Sequence, residues 1–140
     1  MTVTPATLFT AIVSILAILV VFWTGLRAGG MRSKHGIQAP AVAGHPEFER
    51  AYRVQMNTME QFVIFLPLLW LANALFHLLP LLSGALGLVW IVGRIVYAQA
   101  YMADPSKRGL GFMISGLATL GLLILAVIGV VQAWLALNAA

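Results

Sequence analysis

Residues 61–93, QFVIFLPLLWLANALFHLLPLLSGALGLVWIVG, form the stretch that decides the fold, because they include no Asp, Glu, Lys or Arg. A helix crosses the hydrocarbon core of a bilayer with about 20 apolar residues, so this stretch is too long for a single crossing. Its middle contains Pro80, which ends a helix, and Ser83 with Gly84, which suit a tight turn. The stretch therefore predicts two membrane helices joined by a short turn.

Residues 2–26 and 109–140 are also free of these four residue types. Over all 140 residues the chain is 61% apolar and 9% charged, against roughly 45–50% and 25% in an ordinary soluble domain. Lipid removes the need to cover the surface with charge, and the continuous apolar runs lack the period-two alternation of a membrane β-barrel. We therefore predict an all-α fold, an integral membrane four-helix bundle in one domain of residues 1–140. The predicted helices span about residues 5–29, 46–79, 82–103 and 109–137.

The eight basic residues indicate how these helices are oriented. With four crossings the first and third loops lie on the same side of the membrane, and every basic residue except Arg94 falls at or near those loops. By the positive-inside rule this side is cytoplasmic, which places both termini outside. The first apolar run is expected to stay in the protein, because its basic residues follow it and those of a signal peptide precede it. The net charge of +4 thus reflects topology, and no nucleic-acid partner is expected.

Two stripes of polar residues lie on the membrane helices. At 100° per residue, four residues of the second helix fall within about 80° of one another around its axis: Glu49, Arg53, Asn57 and Glu60. Four residues of the third helix do the same: Arg94, Tyr97, Tyr101 and Asp104. An ionisable residue inside a span is costly unless it faces the bundle interior, a water-filled cavity or a partner. Glu60 and Arg94 are therefore functional candidates.

The depth of these residues leaves their pairing open. Counting about 1.5 Å per residue from the outer turn puts Glu60 level with Tyr101 and Arg94 one to two turns deeper, so direct Arg94–Glu60 pairing does not follow. One interpretation is a buried ionic network that only fixes the helix register. The other is a polar ligand, because the stripes hold more hydrogen-bonding groups than one locking pair needs.

Metal and cysteine chemistry are not expected. The chain has no cysteine, which excludes disulfides and thiolate ligands. Its three histidines, His35, His45 and His77, show no ligand spacing, so no metal site is predicted.

The segment PEFERAYRVQMNTME, residues 46–60, resembles the signature of the MAPEG family, the membrane-associated proteins in eicosanoid and glutathione metabolism. The third-helix segment RIVYAQAY, residues 94–101, followed by Arg108, agrees with the same family. The resemblance covers essentially the whole chain. It implies a homotrimer that holds glutathione between neighbouring subunits near the cytosolic face, with glutathione as co-substrate and no metal.

The resemblance also implies roles for individual residues. Six residues would hold glutathione: Arg53, Asn57, Glu60, Arg94, Tyr97 and Tyr101. Gln55 would be contributed by the adjacent subunit, and Arg108 would stabilise the thiolate. In the leukotriene-synthase branch a tyrosine follows the signature glutamate, whereas this chain has Gln61 there. Arg27 and Arg32 are both plausible counterparts of the family's arginine at the end of the first helix.

The function that the resemblance implies is a membrane-bound glutathione transferase acting on a hydrophobic or lipid-derived electrophile from the bilayer, with glutathione peroxidase activity left open. The alternative is a non-catalytic lipid-binding membrane scaffold of the same family. The enzyme is favoured because the chain keeps Arg53, Glu60 and Arg108, whereas the scaffold branch lacks several glutathione-binding residues. The identity of the electrophile stays unassigned.

Overall fold

The computed structural model describes residues 3–139, and within them it is all-helical with four long helices. Each helix is long and apolar enough to cross a membrane, which confirms the predicted class. The helices are α1, Pro5–Lys34; α2, Pro46–Leu75; α3, Leu82–Ala103; and α4, Gly109–Asn138, with the short 3₁₀ helix Pro105–Arg108 between α3 and α4.

The first helix is longer than the sequence predicted. Gly29 and Gly30 do not end it, and it continues to Lys34. Gly36, two residues beyond the end of the helix, has φ of +62°, the left-handed conformation that follows many helices. The amide of Ile37 then donates to the carbonyl of Arg32 at 3.1 Å, the 6→1 bond of a Schellman motif. The hydrogen bonds of the Schellman motif, and not Gly29 and Gly30, therefore set the C-terminal end of α1.

The second helix ends at Leu75, four residues before the predicted boundary. Phe76 has an extended backbone and its side chain is buried against the core, so the chain leaves the helix well before Pro80. Depths counted from residue 79 consequently start from a point that is not helical.

The two central helices are α2 and α3, since each packs against all three of the others, whereas α1 and α4 lie on opposite sides. Their main contact in the apolar core is a face-to-face stack of Phe65 on Trp90, with ring centroids 4.0 Å apart and planes 8° apart. The outward faces are strongly apolar, as Phe22, Leu26 and Leu117 illustrate with exposed fractions above 60%. Such a surface is stable only in lipid or against another chain.

Glycine allows α3 and α4 to approach closely. A Cβ atom on Gly111 would lie 2.5 Å from Tyr97 Cα and 2.8 Å from the Gly93 carbonyl oxygen, both of which are backbone atoms of α3. A Cβ on Gly93 would lie 2.6 Å from the amide nitrogen of Ser115. Backbone atoms cannot move aside like the end of a side chain, so any larger residue here separates the two helices.

We predict that Gly111→Ala destabilises the protein by about 1–3 kcal/mol, the usual cost of forcing extra volume into a packed core. Thermal unfolding in detergent, followed by loss of helical circular dichroism, measures the effect. Gly116→Ala is the matched control on the same helix, because a Cβ there meets nothing within 4 Å. It should be neutral or slightly stabilising. Equal unfolding midpoints for the two variants would contradict the close packing.

Candidate functional site

Five of the eight predicted site residues line one cavity at the end of the bundle where the basic loops lie. The cavity has a volume of about 290 Å³ and is partly open to the surface. It lies between the beginning of α2, the end of α3 and the beginning of α4. The lining residues are Arg53, Asn57, Tyr97, Tyr101, Arg108, Gly109 and Phe112.

The α2 side of the cavity is formed by Arg53 and Asn57, one turn apart on the predicted stripe. Glu60 follows one turn further and is reached through Asn57, whose side-chain Nδ2 donates to Glu60 Oε2 at 3.3 Å. Arg53 and Glu60 are exposed on the surface of the single chain, and neither forms an ion pair within residues 3–139. Two opposite charges thus face outward beside the cavity.

The opposite wall consists of Tyr97 and Tyr101, whose ring centroids lie 5.6 Å apart. The Arg108 guanidinium carbon lies 5.7 Å from the centre of the Tyr101 ring, in cation–π range. Tyr97 is buried and Tyr101 is half-buried. The wall therefore combines a cationic group with two aromatic side chains.

Asp104 starts the turn that brings Arg108 to this wall. Its Oδ1 accepts hydrogen bonds from the backbone amide of Ser106 at 3.0 Å and from the Ser106 hydroxyl at 2.8 Å, which caps the helix Pro105–Arg108. These bonds from Ser106 lower the pKa of the Asp104 carboxyl. The fourth polar residue of the predicted α3 stripe is thus a capping residue outside the cavity lining.

Arg94 lies behind the cavity wall. Its side chain is wholly buried, and it is absent from the residues that line the cavity. Its Nη2 donates to Asn57 Oδ1 at 3.0 Å and to Thr58 Oγ1 at 2.8 Å. Its guanidinium lies over the Tyr97 ring, 4.1 Å from the centroid. Asn57 therefore joins Arg94 to Glu60, which do not pair directly.

Thr58 is a residue that the sequence reasoning missed. It lies about 100° around α2 from Asn57 and so falls outside the polar stripe. The sequence signal for Thr58 is a threonine next to Asn57 on a membrane helix, but its hydrogen bond to Arg94 of α3 depends on how the two helices pack.

Gln55 lies away from this cavity, on the opposite side of α2. It packs against Gly25 of α1, with Nε2 3.5 Å from where a Cβ on that glycine would be, and it lines a separate groove between α1 and α2. Neither candidate arginine of the first helix lines the cavity. Arg32, near the end of α1, donates to the carbonyl of Ala41 at 2.8 Å and lies over the Phe48 ring, 4.6 Å from its centroid, while Arg27 is exposed.

The structure brings together two histidines whose sequence positions show no metal-ligand spacing. His35 and His45 stack with ring centroids 3.5 Å apart, and Glu47 Oε2 lies 2.8 Å from both His35 Nε2 and Lys34 Nζ. With ring planes only 12° from parallel, the two imidazoles do not direct their nitrogen lone pairs at one point. The cluster in this form connects the end of α1 to the start of α2, and the expectation of no metal stays a prediction.

A larger cavity, of about 730 Å³, lies at the other end of the bundle between the N-terminus of α1 and the end of α2. Its polar lining includes Trp70, Asn73 and His77, and none of the predicted site residues. Size alone would select this cavity, but the ionisable groups favour the smaller one.

Comparison with known proteins gives a class that fits this arrangement. The MAPEG family model matches residues 10–128. Microsomal glutathione S-transferase 2 of Homo sapiens is 39% identical over 126 residues, covering 89% of this chain and 84% of the relative. Leukotriene C4 synthase of Cavia porcellus is 36% identical over 125 residues, covering 81% and 79%. An uncharacterized protein of Synechocystis sp. is 37% identical over 123 residues, covering 88% of each chain.

The family model thus matches most of the length of this four-helix membrane bundle, including the end where ionisable side chains line a cavity. The chain belongs to the MAPEG family, and the resemblance inferred from residues 46–60 is confirmed.

Proposed function

We propose that the protein is a membrane-bound glutathione transferase, whose cavity at the basic end of the bundle holds glutathione at the cytoplasmic face. The observation that supports this most directly is the convergence of Arg53, Asn57, Tyr97, Tyr101 and Arg108 on one cavity. The names of two relatives, a glutathione S-transferase and a leukotriene C4 synthase, favour the same chemistry.

The polar groups of the cavity complement those of glutathione, which has two carboxylates, one ammonium group and one thiol. Arg53 offers a guanidinium that binds a carboxylate through two parallel hydrogen bonds. Glu60 accepts from the ammonium group, and the tyrosine hydroxyls offer further donors. Arg108, over Tyr101, is the cation assigned to the sulfur.

We predict that the detergent-solubilised protein binds glutathione in calorimetry, and that Arg53→Met weakens binding about 10- to 150-fold. A hydrogen bond to a charged group contributes about 1.5–3 kcal/mol, and each 1.4 kcal/mol is tenfold in affinity. Lys34→Met removes a positive charge near the same end of the bundle but outside the cavity, so it should leave affinity unchanged. Equal affinities of the parent protein and Arg53→Met would remove Arg53 from the site. Absence of glutathione binding in the parent would overturn the proposed function.

The exposed charges favour an assembly of several chains. Arg53 and Glu60 face outward on a membrane helix, where contact with lipid is costly, so a neighbouring chain must cover them. Gln55, which the family assigns to the adjacent site, lies on the opposite face of the same helix. Contact between two different faces is heterologous, and such contacts form a closed ring when the rotation between subunits closes. This supports the homotrimer rather than a twofold dimer.

We predict a mass of three chains for the protein in detergent or native lipid, measured by native mass spectrometry. Cysteine substitutions test the pairing of faces in this cysteine-free chain. A Gln55→Cys chain mixed with a Glu60→Cys chain should cross-link through a short thiol-reactive linker, because the proposed trimer brings Gln55 of one subunit near the site of its neighbour. The control is Leu117→Cys with Glu60→Cys, since Leu117 is an exposed apolar residue of α4. A monomer that binds glutathione normally would contradict the shared site.

In the proposed reaction the glutathione thiolate attacks an electrophilic carbon of a lipid-soluble substrate. A carbon–sulfur bond forms while the bond from that carbon to its leaving group, or the π bond of an activated double bond, breaks. The released anion or the new carbanion takes up a proton from solvent, and the thiol proton has already left to solvent. Peroxidase chemistry at the same site would instead reduce a lipid hydroperoxide to the alcohol and water, and would consume two glutathione molecules to give the disulfide. Both reactions require a supply of thiolate near neutral pH.

We predict that Arg108 lowers the pKa of bound glutathione. A free thiol of pKa ~8.5 is about 3% thiolate at pH 7, and a lowering of ~2 units raises this to about three quarters, an increase of ~25-fold. Titration of the thiolate ultraviolet absorbance should therefore give a near-normal pKa in Arg108→Ala, with a much smaller change in affinity.

Lys107→Ala is the matched control, because Lys107 lies next to Arg108 but does not line the cavity. An unchanged thiol pKa and conjugation rate in Arg108→Ala would show that this residue is wrongly assigned. Glutathione binding with an unshifted thiol pKa in the parent would favour the non-catalytic scaffold.

A further inference from the structure

Arg94 is a cation within a membrane span that contacts no carboxylate in the described part of the chain. Its side chain is wholly buried, and no Asp or Glu oxygen of residues 3–139 lies within 4.0 Å of it. Its contacts are instead the two neutral side chains of Asn57 and Thr58 and the face of Tyr97. An arginine in such a position is costly, which calls for a function beyond helix packing.

The chemistry of the guanidinium fixes how the Asn57 amide is turned. An arginine side chain only donates hydrogen bonds, so the atom of Asn57 that faces it must be the carbonyl oxygen. The NH₂ group is consequently directed away from Arg94 and toward Glu60. Asn57 lines the cavity and Arg94 does not. The arginine therefore determines which end of the Asn57 amide a ligand in the cavity meets, without lining the cavity itself.

Glu60 favours the same orientation of the Asn57 amide, but its hydrogen bond to Asn57 is weaker than that of Arg94. The bond from Asn57 Nδ2 to Glu60 Oε2 is 3.3 Å long and exposed, whereas that from Arg94 to Asn57 is 3.0 Å and part-buried. If the ammonium group of the ligand pairs with Glu60, as the proposed function requires, Arg94 becomes the main restraint on the amide.

We propose that Arg94 is a positioning residue that sets the specificity of the site without touching the ligand. By holding the Asn57 carbonyl oxygen inward, it makes the cavity present an NH₂ donor, so the ligand group opposite Asn57 is an acceptor, a carboxylate or a peptide carbonyl. The ligand part of this inference rests on the proposed function. It departs from the sequence-based expectation that Arg94 itself binds glutathione.

Contact with Tyr97 extends the same role to the aromatic wall. The Arg94 guanidinium lies over the Tyr97 ring, the Tyr101 ring lies 5.6 Å from that of Tyr97, and Arg108 lies over Tyr101. A displacement of the Arg94 side chain would therefore change the positions of two cavity-lining side chains, Asn57 and Tyr97.

The test compares four single variants by calorimetry with glutathione. Arg94→Met keeps the length of the side chain but loses every donor, and it should weaken binding at least tenfold. Arg94→Lys still only donates, so it should restore affinity to within about threefold of the parent. Thr58→Val removes an acceptor of Arg94 outside the cavity lining and should also change affinity less than threefold.

Asn57→Asp separates positioning from folding. The new carboxylate pairs with Arg94, so the unfolding midpoint in detergent should stay or rise, but the cavity loses its NH₂ donor and glutathione affinity should fall at least tenfold. This variant decides the matter even if Arg94→Met fails to fold. Parent-like affinity in Asn57→Asp, or in a folded Arg94→Met, would overturn the inference.

A readout without ligand distinguishes this inference from the proposed function. With ¹⁵N-asparagine labelling, the side-chain NH₂ signals of Asn57 are identified by their loss in Asn57→Asp. They should be a single sharp pair in the parent and in Arg94→Lys, and shifted or broadened in Arg94→Met. Unchanged signals in Arg94→Met would overturn the positioning role. Absence of glutathione binding in the parent would overturn the proposed function. The Asn57 NH₂ signals would then still test whether Arg94 positions the Asn57 amide.

Discussion

A positive charge inside a membrane must find its partners within the protein, and the buried guanidinium of Arg94 meets this constraint in part, through its Nη2, which joins α3 to α2. Water is absent from the hydrocarbon core, so the hydrogen bonds to Asn57 and Thr58 replace part of the hydration that the bilayer does not offer, while Nε and Nη1 have no hydrogen-bond partner within residues 3–139. These bonds hold the two central helices together at the level where the cavity begins. The orientation of Asn57 and the support of Tyr97 follow from the same contact.

Close packing of α3 and α4 supplies the third side of the cavity. Gly111 lets α4 begin directly against the backbone of Tyr97, and the capped turn from Asp104 leads into that approach. Arg108 is therefore held near Tyr101 by the path of the backbone, since its long side chain has many rotamers of its own. A flexible cation needs such a short, capped connection to act at a defined place.

The single chain exposes two kinds of surface, an apolar one and a charged stripe beside the open cavity. Most of the outer surface is apolar and suits lipid, but the stripe of Arg53 and Glu60 does not. Charged groups beside a cavity that opens to the surface fit the proposal that a neighbouring subunit completes the site. In the proposed trimer, Gln55 on the opposite side of α2 would belong to the partner face.

The sequence by itself determined the number of membrane helices, the polar stripes and the family, because charge-free runs and angles around a helix axis are local properties. Only the tertiary structure decided that α1 passes its first glycine pair and that α2 ends early at Phe76, since a left-handed glycine and a buried side chain set those ends. It also decided that Arg94 meets Thr58 behind the wall and that His35 stacks on His45. Periodicity tells where a side chain points on its own helix, but not which neighbour lies opposite or at what depth, and both of these are fixed by helix packing.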